Sequence, residues 1–129
     1  MLSFKAMEYR VKFLYNEKNV EESLFVEVNG LILNIFCSEY DYIFKPLEVY
    51  EVELEFQIFN EYQIAESNLQ PQFRKIDQSF SYEMIGLLEN GVVTVGDFKI
   101  FDEILLSDYS YLDGKNISWI VDRIDLSVS

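Results

Sequence analysis

Apolar and polar side chains alternate in MEYRVKFLYN, residues 7–16 of the chain. The polar positions between the apolar ones include Glu8, Arg10 and Lys12. Successive side chains of a β-strand point to opposite faces, so this pattern predicts a strand with one buried face and one charged face.

The clearest alternation lies in VYEVELEFQIF, residues 49–59, which holds three glutamates at alternate positions. It predicts a strand whose outer face carries Glu51, Glu53 and Glu55 in a row, which we call the glutamate ladder. The residues predicted to face the core are Val52, Leu54, Phe56 and Ile58.

Two Asn-Gly pairs stand between apolar runs. Asn90-Gly91 predicts a hairpin that joins strands near 80–89 and 92–101, because alternation continues on both sides and both turn positions favour positive φ. Asn29-Gly30 lies between LFVEV and LILNIFC and is compatible with a hairpin or with a bulge, and we favour a bent, bulged strand there.

Three further segments are less regular. Residues 60–78 are polar and contain Pro71, which favours a long connection with at most one short helix before the proline. Residues 102–116 predict a strand extension or a short helix followed by a loop. In residues 117–128 the apolar positions change phase near Asp122, which predicts a bulge at that point.

About six short strands, one irregular connector and no helix of ordinary length predict an all-β fold with at most one or two short helices. The candidate architectures are an antiparallel sandwich and a small barrel, and the oligonucleotide/oligosaccharide-binding (OB) barrel is among the barrels. The chain has 129 residues, half of them hydrophobic, and no linker or repeat divides it. We therefore expect a single domain over residues 1–129.

The composition argues against an enzyme. There are no histidines and only five glycines, so the usual general base, the commonest zinc ligand and a glycine-rich phosphate loop are all missing. The segment DYSYLDG at 108–114 fails as a calcium loop because Leu112 occupies a ligand position. Cys37 lies in an apolar run and is expected to be a buried thiol. We expect no catalysis, no metal and no cofactor.

The formal charge of −13 indicates the class of partner. A strongly acidic chain repels nucleic acids and anionic membranes and attracts cationic proteins, so we expect a basic protein partner, no direct nucleic-acid contact and no membrane contact. The absence of a signal-like or membrane-spanning apolar run predicts a cytoplasmic protein. The oligomeric state is left open.

The glutamate ladder has two interpretations. If the strand that carries Arg10 and Lys12 lies beside it, cross-strand ion pairs neutralise part of its charge. Two cations do not balance all of the nearby glutamates, however, and the remaining charge favours an external cationic partner. Two loops, SEYDY at 38–42 and SDYSY at 107–111, combine carboxylates with tyrosines, the residue type that is enriched in protein interfaces. The predicted partner-binding residues are Glu51, Glu53, Glu55, Tyr40, Asp41, Tyr42, Asp108, Tyr109 and Tyr111.

With EVELE, SEYDY and SDYSY on a small, acidic, aromatic-rich chain, the protein resembles the immunity proteins of bacterial toxin systems, including those of contact-dependent growth inhibition. This resemblance implies a non-catalytic inhibitor that binds a cognate cationic toxin domain and blocks its active site. Two alternatives stay open. One is a structural, carbohydrate-binding or assembly module, for which Trp119 and the tyrosines would form an open platform, although the alternating apolar run around Trp119 favours a core position. The other is an acidic nucleic-acid mimic or regulator, which would display two rows of carboxylates spaced like phosphates.

Overall fold

The computed structural model describes residues 7–17, 20, 22–38 and 44–128, and it has an all-β architecture as predicted. Its strands are β1 (Met7–Asn16), β2 (Ser23–Val28), β3 (Leu31–Phe36), β4 (Val49–Gln57), β5 (Gln63–Glu66), β6 (Gln72–Lys75), β7 (Tyr82–Glu89), β8 (Val92–Val95), β9 (Phe98–Phe101), β10 (Asn116–Val121) and β11 (Arg123–Val128). The described helical residues form α1 (Glu103–Asp108) and a 3-10 turn, Ser110–Leu112. Within the described chain, no helix is long and apolar enough to cross a membrane.

The described residues form two compact units. The barrel unit contains the described chain up to Gln57 and the segment from Arg123 onward, and the sheet unit spans Ile58–Asp122. The sheet unit is therefore inserted between two strands of the barrel. The expectation of a single domain over residues 1–129 stays a prediction.

The barrel unit is a closed barrel in the order β1-β2-β3-β11-β4, and β4 pairs again with β1. Numbered within the barrel alone, this order is 1-2-3-5-4, and the β3–β11 pair is parallel. That connectivity agrees with the OB barrel named above as a candidate. The barrel core is formed by the inward residues of each strand, among them Val11, Phe13, Leu24, Val26, Leu33, Ile35, Val52, Leu54, Ile124 and Leu126.

The sheet unit is an open sheet in the order β5-β10-β7-β8-β9, and β6 also pairs with β7. Its core includes Met84, Phe98 and Trp119, all 0 % exposed, so the predicted core position of Trp119 is confirmed. Helix α1 begins after Asp102, whose carboxylate accepts a hydrogen bond from the backbone N–H of Leu105 (3.0 Å). This cap satisfies one of the backbone donors that the first turn of a helix leaves free.

The Asn90-Gly91 hairpin is confirmed, because Leu88 on β7 pairs with Val93 on β8. The second predicted strand is nevertheless interrupted. Residues 92–101 form β8 and β9, which are joined by a tight turn at Gly96 (φ +61°). A left-handed backbone position of this kind favours glycine and ends a strand.

The bulged strand predicted at Asn29-Gly30 is wrong. The pair closes a hairpin in which Val28 of β2 faces Leu31 of β3. Both turn residues have positive φ, +50° for Asn29 and +82° for Gly30, as two-residue hairpins of the type I′ class require.

The short helix considered before Pro71 is also not found, because the described residues 60–78 contain β5 and β6 instead. Strand β6 is half-buried to exposed and β5 is mostly exposed. A strand with little buried surface does not need apolar residues at alternate positions, so these two strands leave no periodic pattern in the sequence.

The change of phase near Asp122 was predicted to be a bulge. In the structure it marks the point where the chain passes from one sheet to the other. Strand β10 ends in the sheet unit and β11 begins in the barrel, so the two apolar phases belong to two different cores. Within the sheet unit, Asp122 is the last residue before β11, and two hydrogen bonds hold it in place. Its Oδ2 accepts the backbone N–H of Phe59 (2.7 Å), and its backbone oxygen accepts the hydroxyl of Ser81 (3.2 Å).

Candidate protein-binding face

The glutamate ladder lies on β4, between β1 and β11. Glu51 stands opposite Arg10 of β1, but Glu53 stands opposite Glu8. On the other side, Glu55 stands opposite Asp125 of β11. Residues directly opposite each other in antiparallel strands have Cβ atoms roughly 4.5–5.5 Å apart, so two of the three ladder positions face a second carboxylate at close range.

The neutralisation expected from β1 occurs only in part. Arg10 contacts Glu51 (Nε to Oε1, 3.5 Å), but both side chains are more than two-thirds exposed. Lys12 stands opposite Val49 of β4 and contacts Glu27 of β2 (Nζ to Oε1, 3.8 Å). One cation beside three glutamates leaves most of the ladder's negative charge uncompensated from β1.

Arg123 of β11 is held by the aspartate two residues further on. Its Nε and Nη2 donate to the two carboxylate oxygens of Asp125 at 2.6 and 2.9 Å, and its guanidinium lies 3.8 Å from the centre of the Phe36 ring. The hydrogen bond to Asp125 raises the pKa of Arg123 above its ordinary value. This bidentate pair holds the guanidinium of Arg123 at Asp125, so its charge compensates that carboxylate.

We call Glu8, Glu51, Glu53, Glu55 and Asp125 the acidic face. Among the described residues, the cations that contact this face are Arg10 and Arg123, so five carboxylates against two guanidinium groups leave a charge of −3. Within that part of the chain, neither Glu8 nor Glu53 has an ion pair, and Glu55 accepts a hydrogen bond from the Gln57 amide (2.9 Å). Ladder residues on β4 repeat at roughly 6.8 Å, so the negative charge is concentrated on three adjacent strands.

The predicted partner-binding residues do not all share this face. Tyr40, Asp41 and Tyr42 lie outside the described residues. Asp108, Tyr109 and Tyr111 belong to the sheet unit, whereas the ladder belongs to the barrel unit. The structure therefore assigns the predicted set to two separate units. Glu8 and Asp125, which the sequence analysis did not select, complete the face on the barrel.

The tyrosines of SDYSY extend a row of aromatic rings within the sheet unit. Tyr109 stacks on Tyr62 and is tilted against Tyr111, with ring centroids 6.0 Å apart in both contacts. Tyr62 in turn stacks on the buried Trp119 at 6.2 Å. Tyr111 is 70 % exposed. The row thus begins in the core at Trp119 and ends in an exposed ring.

Asp102 positions Tyr62, the ring in the middle of this row, through hydrogen bonds. The hydroxyl of Tyr62 donates to both carboxylate oxygens of Asp102 at 3.0 and 2.8 Å. Burial, and then the hydrogen bond to Asp102, raise the pKa of Tyr62 above its ordinary value. Sequence reasoning missed this pair because the two residues are 40 positions apart, although an aspartate before an apolar run is itself a helix-start signal.

Among the described residues there is no group of three Asp, Glu, Cys or His side chains that could hold a metal ion. The charged groups of the acidic face lie on the outer surface of neighbouring strands, where they present a field to another molecule.

Comparison with protein families shows a match over residues 7–129 to a family described as "Uncharacterised conserved protein UCP019853". The chain belongs to this family. The family match spans both units, so the barrel and the inserted sheet are parts of one family architecture. No curated protein and no solved structure matches the chain.

Proposed function

We propose that the protein is a non-catalytic inhibitor of the immunity type, which binds a basic protein partner through the acidic face of its barrel. The observation that carries this proposal is the pairing of Glu53 with Glu8 across adjacent strands, where neither carboxylate has an ion pair among the described residues. Like charges directly opposite each other destabilise a sheet. A cationic partner relieves this repulsion when it binds.

The mode of binding follows from the exposure of the face. Glu51 and Glu55 are exposed and Glu53 is half-buried, so the outer carboxylates attract a partner from solution while Glu53 lies closer to the barrel surface. Complementary fields raise association rates by roughly ten- to thousand-fold. A carboxylate that becomes desolvated against a partner's arginine controls dissociation instead.

The inhibitor role is supported by the kind of partner that such a face fits. Nucleases that bind phosphate backbones carry basic surfaces, and a chain with a formal charge of −13 complements a surface of that kind. An inhibitor that covers this surface blocks substrate without any chemistry of its own. This agrees with the resemblance to immunity proteins of toxin systems.

The test begins with a search for the partner. The tagged protein is used as bait against the product of a neighbouring toxin-like gene or against the source-cell extract, and the kinetics of the purified pair are then measured at two salt concentrations. We expect the double variant Glu53→Lys/Glu55→Lys to associate at least tenfold more slowly than the native protein and to lose most of the salt dependence.

A matched control is available on the other unit. Glu89→Lys/Asp97→Lys makes the same charge change at two exposed positions of the sheet unit. We expect this control to slow association much less. A partner whose binding ignores both the ladder variant and the salt concentration would contradict the proposal and favour a structural or assembly module. A partner that is itself a DNA-binding protein displaced from DNA would favour the nucleic-acid mimic.

A further inference from the structure

A preformed cavity of about 260 Å³ lies in the sheet unit, and none of its lining residues belongs to the acidic face. It is lined by the Asn90-Gly91 hairpin turn, helix α1 and the 3-10 turn that follows the helix, and it is open to solvent. Its lining residues are Leu88, Asn90, Gly91, Leu105, Leu106, Tyr109, Ser110 and Asp113.

The walls of this cavity are tied together by backbone hydrogen bonds. The N–H of Asp102, just before α1, donates to the oxygen of Gly91 (2.9 Å), and the N–H of Gly114 donates to the oxygen of Leu88 (2.7 Å). A Cβ atom added at Gly91 would lie 2.7 Å from the Cβ of Leu106, so the turn and the helix already touch. A cavity with fixed walls binds without the entropic cost of ordering them.

The lining separates into an apolar floor and a polar rim. Leu88 and Leu105 are each 1 % exposed, whereas Asn90, Ser110 and Asp113 are exposed. Asp113 is the charged residue of the lining, and no cation lines the cavity. The complementary ligand therefore has an aliphatic body and a cationic end.

The size of the cavity restricts that ligand further. Sites for drug-sized molecules usually occupy roughly 300–1,000 Å³, so a cavity of about 260 Å³ is better matched to one amino-acid side chain. Lysine and arginine both have an aliphatic stem and a cationic head.

The orientation of the carboxylate favours arginine. Asp113 Oδ1 already accepts the backbone N–H of Asn90 (2.7 Å), which holds this oxygen at the rim. Each carboxylate oxygen has two acceptor positions, so an approaching guanidinium can still use both oxygens. A planar carboxylate suits the planar fork of arginine better than the point charge of lysine.

We propose that this cavity is a recognition site for a single arginine side chain of a protein partner, with the stem against Leu105, Leu106 and Tyr109 and the guanidinium on Asp113. The site belongs to the sheet unit and does not depend on the acidic face of the barrel. It assigns a role to Asp113, a residue next to the SDYSY segment that the predicted set did not include.

The experiment uses the full chain and a small probe, N-acetyl-arginine amide, in an NMR titration. We expect saturable shifts of the amide signals of Asn90, Leu106 and Asp113 at roughly millimolar probe concentrations, the weak end of the affinity scale. The neutral isostere N-acetyl-citrulline amide should bind at least about tenfold more weakly, because a charge-assisted hydrogen bond is roughly twice as strong as a neutral one.

Matched variants test the assignment. Asp113→Asn keeps an acceptor for the Asn90 N–H but removes the charge. We expect it to lower the affinity for the arginine probe about tenfold. Asp108→Asn removes an equal charge from the end of α1 outside the lining and should change the affinity less than about twofold. Ser110→Leu narrows the cavity without changing its charge and should also abolish the shifts, which keeps the test valid if Asp113→Asn fails to fold.

Three results would overturn the inference. These are the absence of saturable shifts, equal binding of the citrulline probe, and an effect of Asp108→Asn as large as that of Asp113→Asn. The barrel variant Glu53→Lys/Glu55→Lys should still bind the probe, because its substitutions lie outside the cavity lining. Probe binding therefore tests the arginine site alone, whereas the kinetics with the protein partner test the proposed function.

Discussion

Glu53 of β4 and Glu8 of β1 stand directly opposite each other in adjacent antiparallel strands, although Arg10 is only two residues from Glu8. A shift of two residues in register would place Arg10 opposite Glu53. A shift of two keeps every side chain on its own face, but it would move the inward residues Val11, Val52 and Leu54, each at 1 % exposure or less, against new neighbours in the barrel core. Close packing of the core therefore sets the register, and the charges on the outer face follow it.

The first prediction concerns this pair. Glu53→Gln removes the repulsion with Glu8 and should raise the free energy of unfolding by about 0.2–1 kcal/mol at low salt. The gain should shrink in 1 M salt, where the Debye length is about 3 Å. Urea unfolding at two salt concentrations measures both effects. Glu51→Gln, which loses the contact with Arg10, serves as the control and should not stabilise the protein. A loss of stability in Glu53→Gln would refute the interpretation.

The second prediction compares the two Asn-Gly hairpins. Gly30 (φ +82°) and Gly91 (φ +76°) have similar left-handed conformations, but a Cβ at Gly30 meets no atom within 4 Å. Gly30→Ala should therefore lower the free energy of unfolding by about 1–2 kcal/mol, the cost of placing a Cβ atom on a left-handed backbone. Gly91→Ala adds a clash with Leu106 and should cost a further 1–3 kcal/mol or so. Denaturant unfolding of both variants checks the order, and equal costs would contradict it.

The third prediction concerns Tyr62 and Asp102. Tyr62→Phe removes the hydrogen bond and leaves the buried carboxylate with fewer donors, so the stability at neutral pH should fall by about 1–3 kcal/mol. Asp102→Ala also loses the helix cap, and the double variant should lose less than the sum of the two single losses. Tyr111→Phe, at a ring that is 70 % exposed, is the control and should change little. Strict additivity in this cycle would show that the two side chains do not interact.

A fourth prediction follows from the raised pKa of Tyr62 and of Tyr9. Burial is the first cause of the shift in both residues. The folded state therefore holds these protons more tightly than the unfolded state, in which a tyrosine loses its proton near pH ~10. The stability that this provides is complete below that pH and is lost as the pH rises above it. Unfolding experiments from pH ~8 to ~12 should show this decline, with a shallower slope for Tyr62→Phe. An unchanged slope would exclude the contribution of Tyr62.

The fifth prediction tests the expected single domain. Gln57 pairs with Arg123 in the barrel, so β11 closes it only after the whole of Ile58–Asp122 has been spanned. In the sheet unit the carboxylate of Asp122 accepts the backbone N–H of Phe59 (2.7 Å), which brings the two ends of this insertion together. For a loop of this length the closure entropy is about 4 kcal/mol, so folding of the insertion favours folding of the barrel.

Unfolding should therefore be one transition. Trp119 is the only tryptophan and lies in the sheet unit, so its fluorescence reports on that unit, whereas far-UV circular dichroism reports on both. We expect the two urea curves to coincide. Two separate midpoints would show that the units fold independently.

Local patterns were enough to predict the strands that bury one face. Strand β1 and strand β4 follow the alternation of residues 7–16 and 49–57, and the burial of Cys37 (1 % exposed) follows from its apolar neighbours. Strands β5 and β6 were not predicted, because they bury little surface and therefore show no alternation of apolar and polar residues.

The sequence by itself determined the all-β class, the Asn90-Gly91 hairpin, the outward direction of the glutamate ladder and the excess of negative charge, because each depends on near neighbours or on composition alone. Only the tertiary structure decided which charges meet. Lys12 contacts Glu27 of β2 rather than the ladder, Glu53 faces Glu8, and Asp102 receives the hydroxyl of Tyr62. These contacts join residues distant in the chain, and their partners are set by strand order and register, which the packing of the apolar cores imposes on the polar surface.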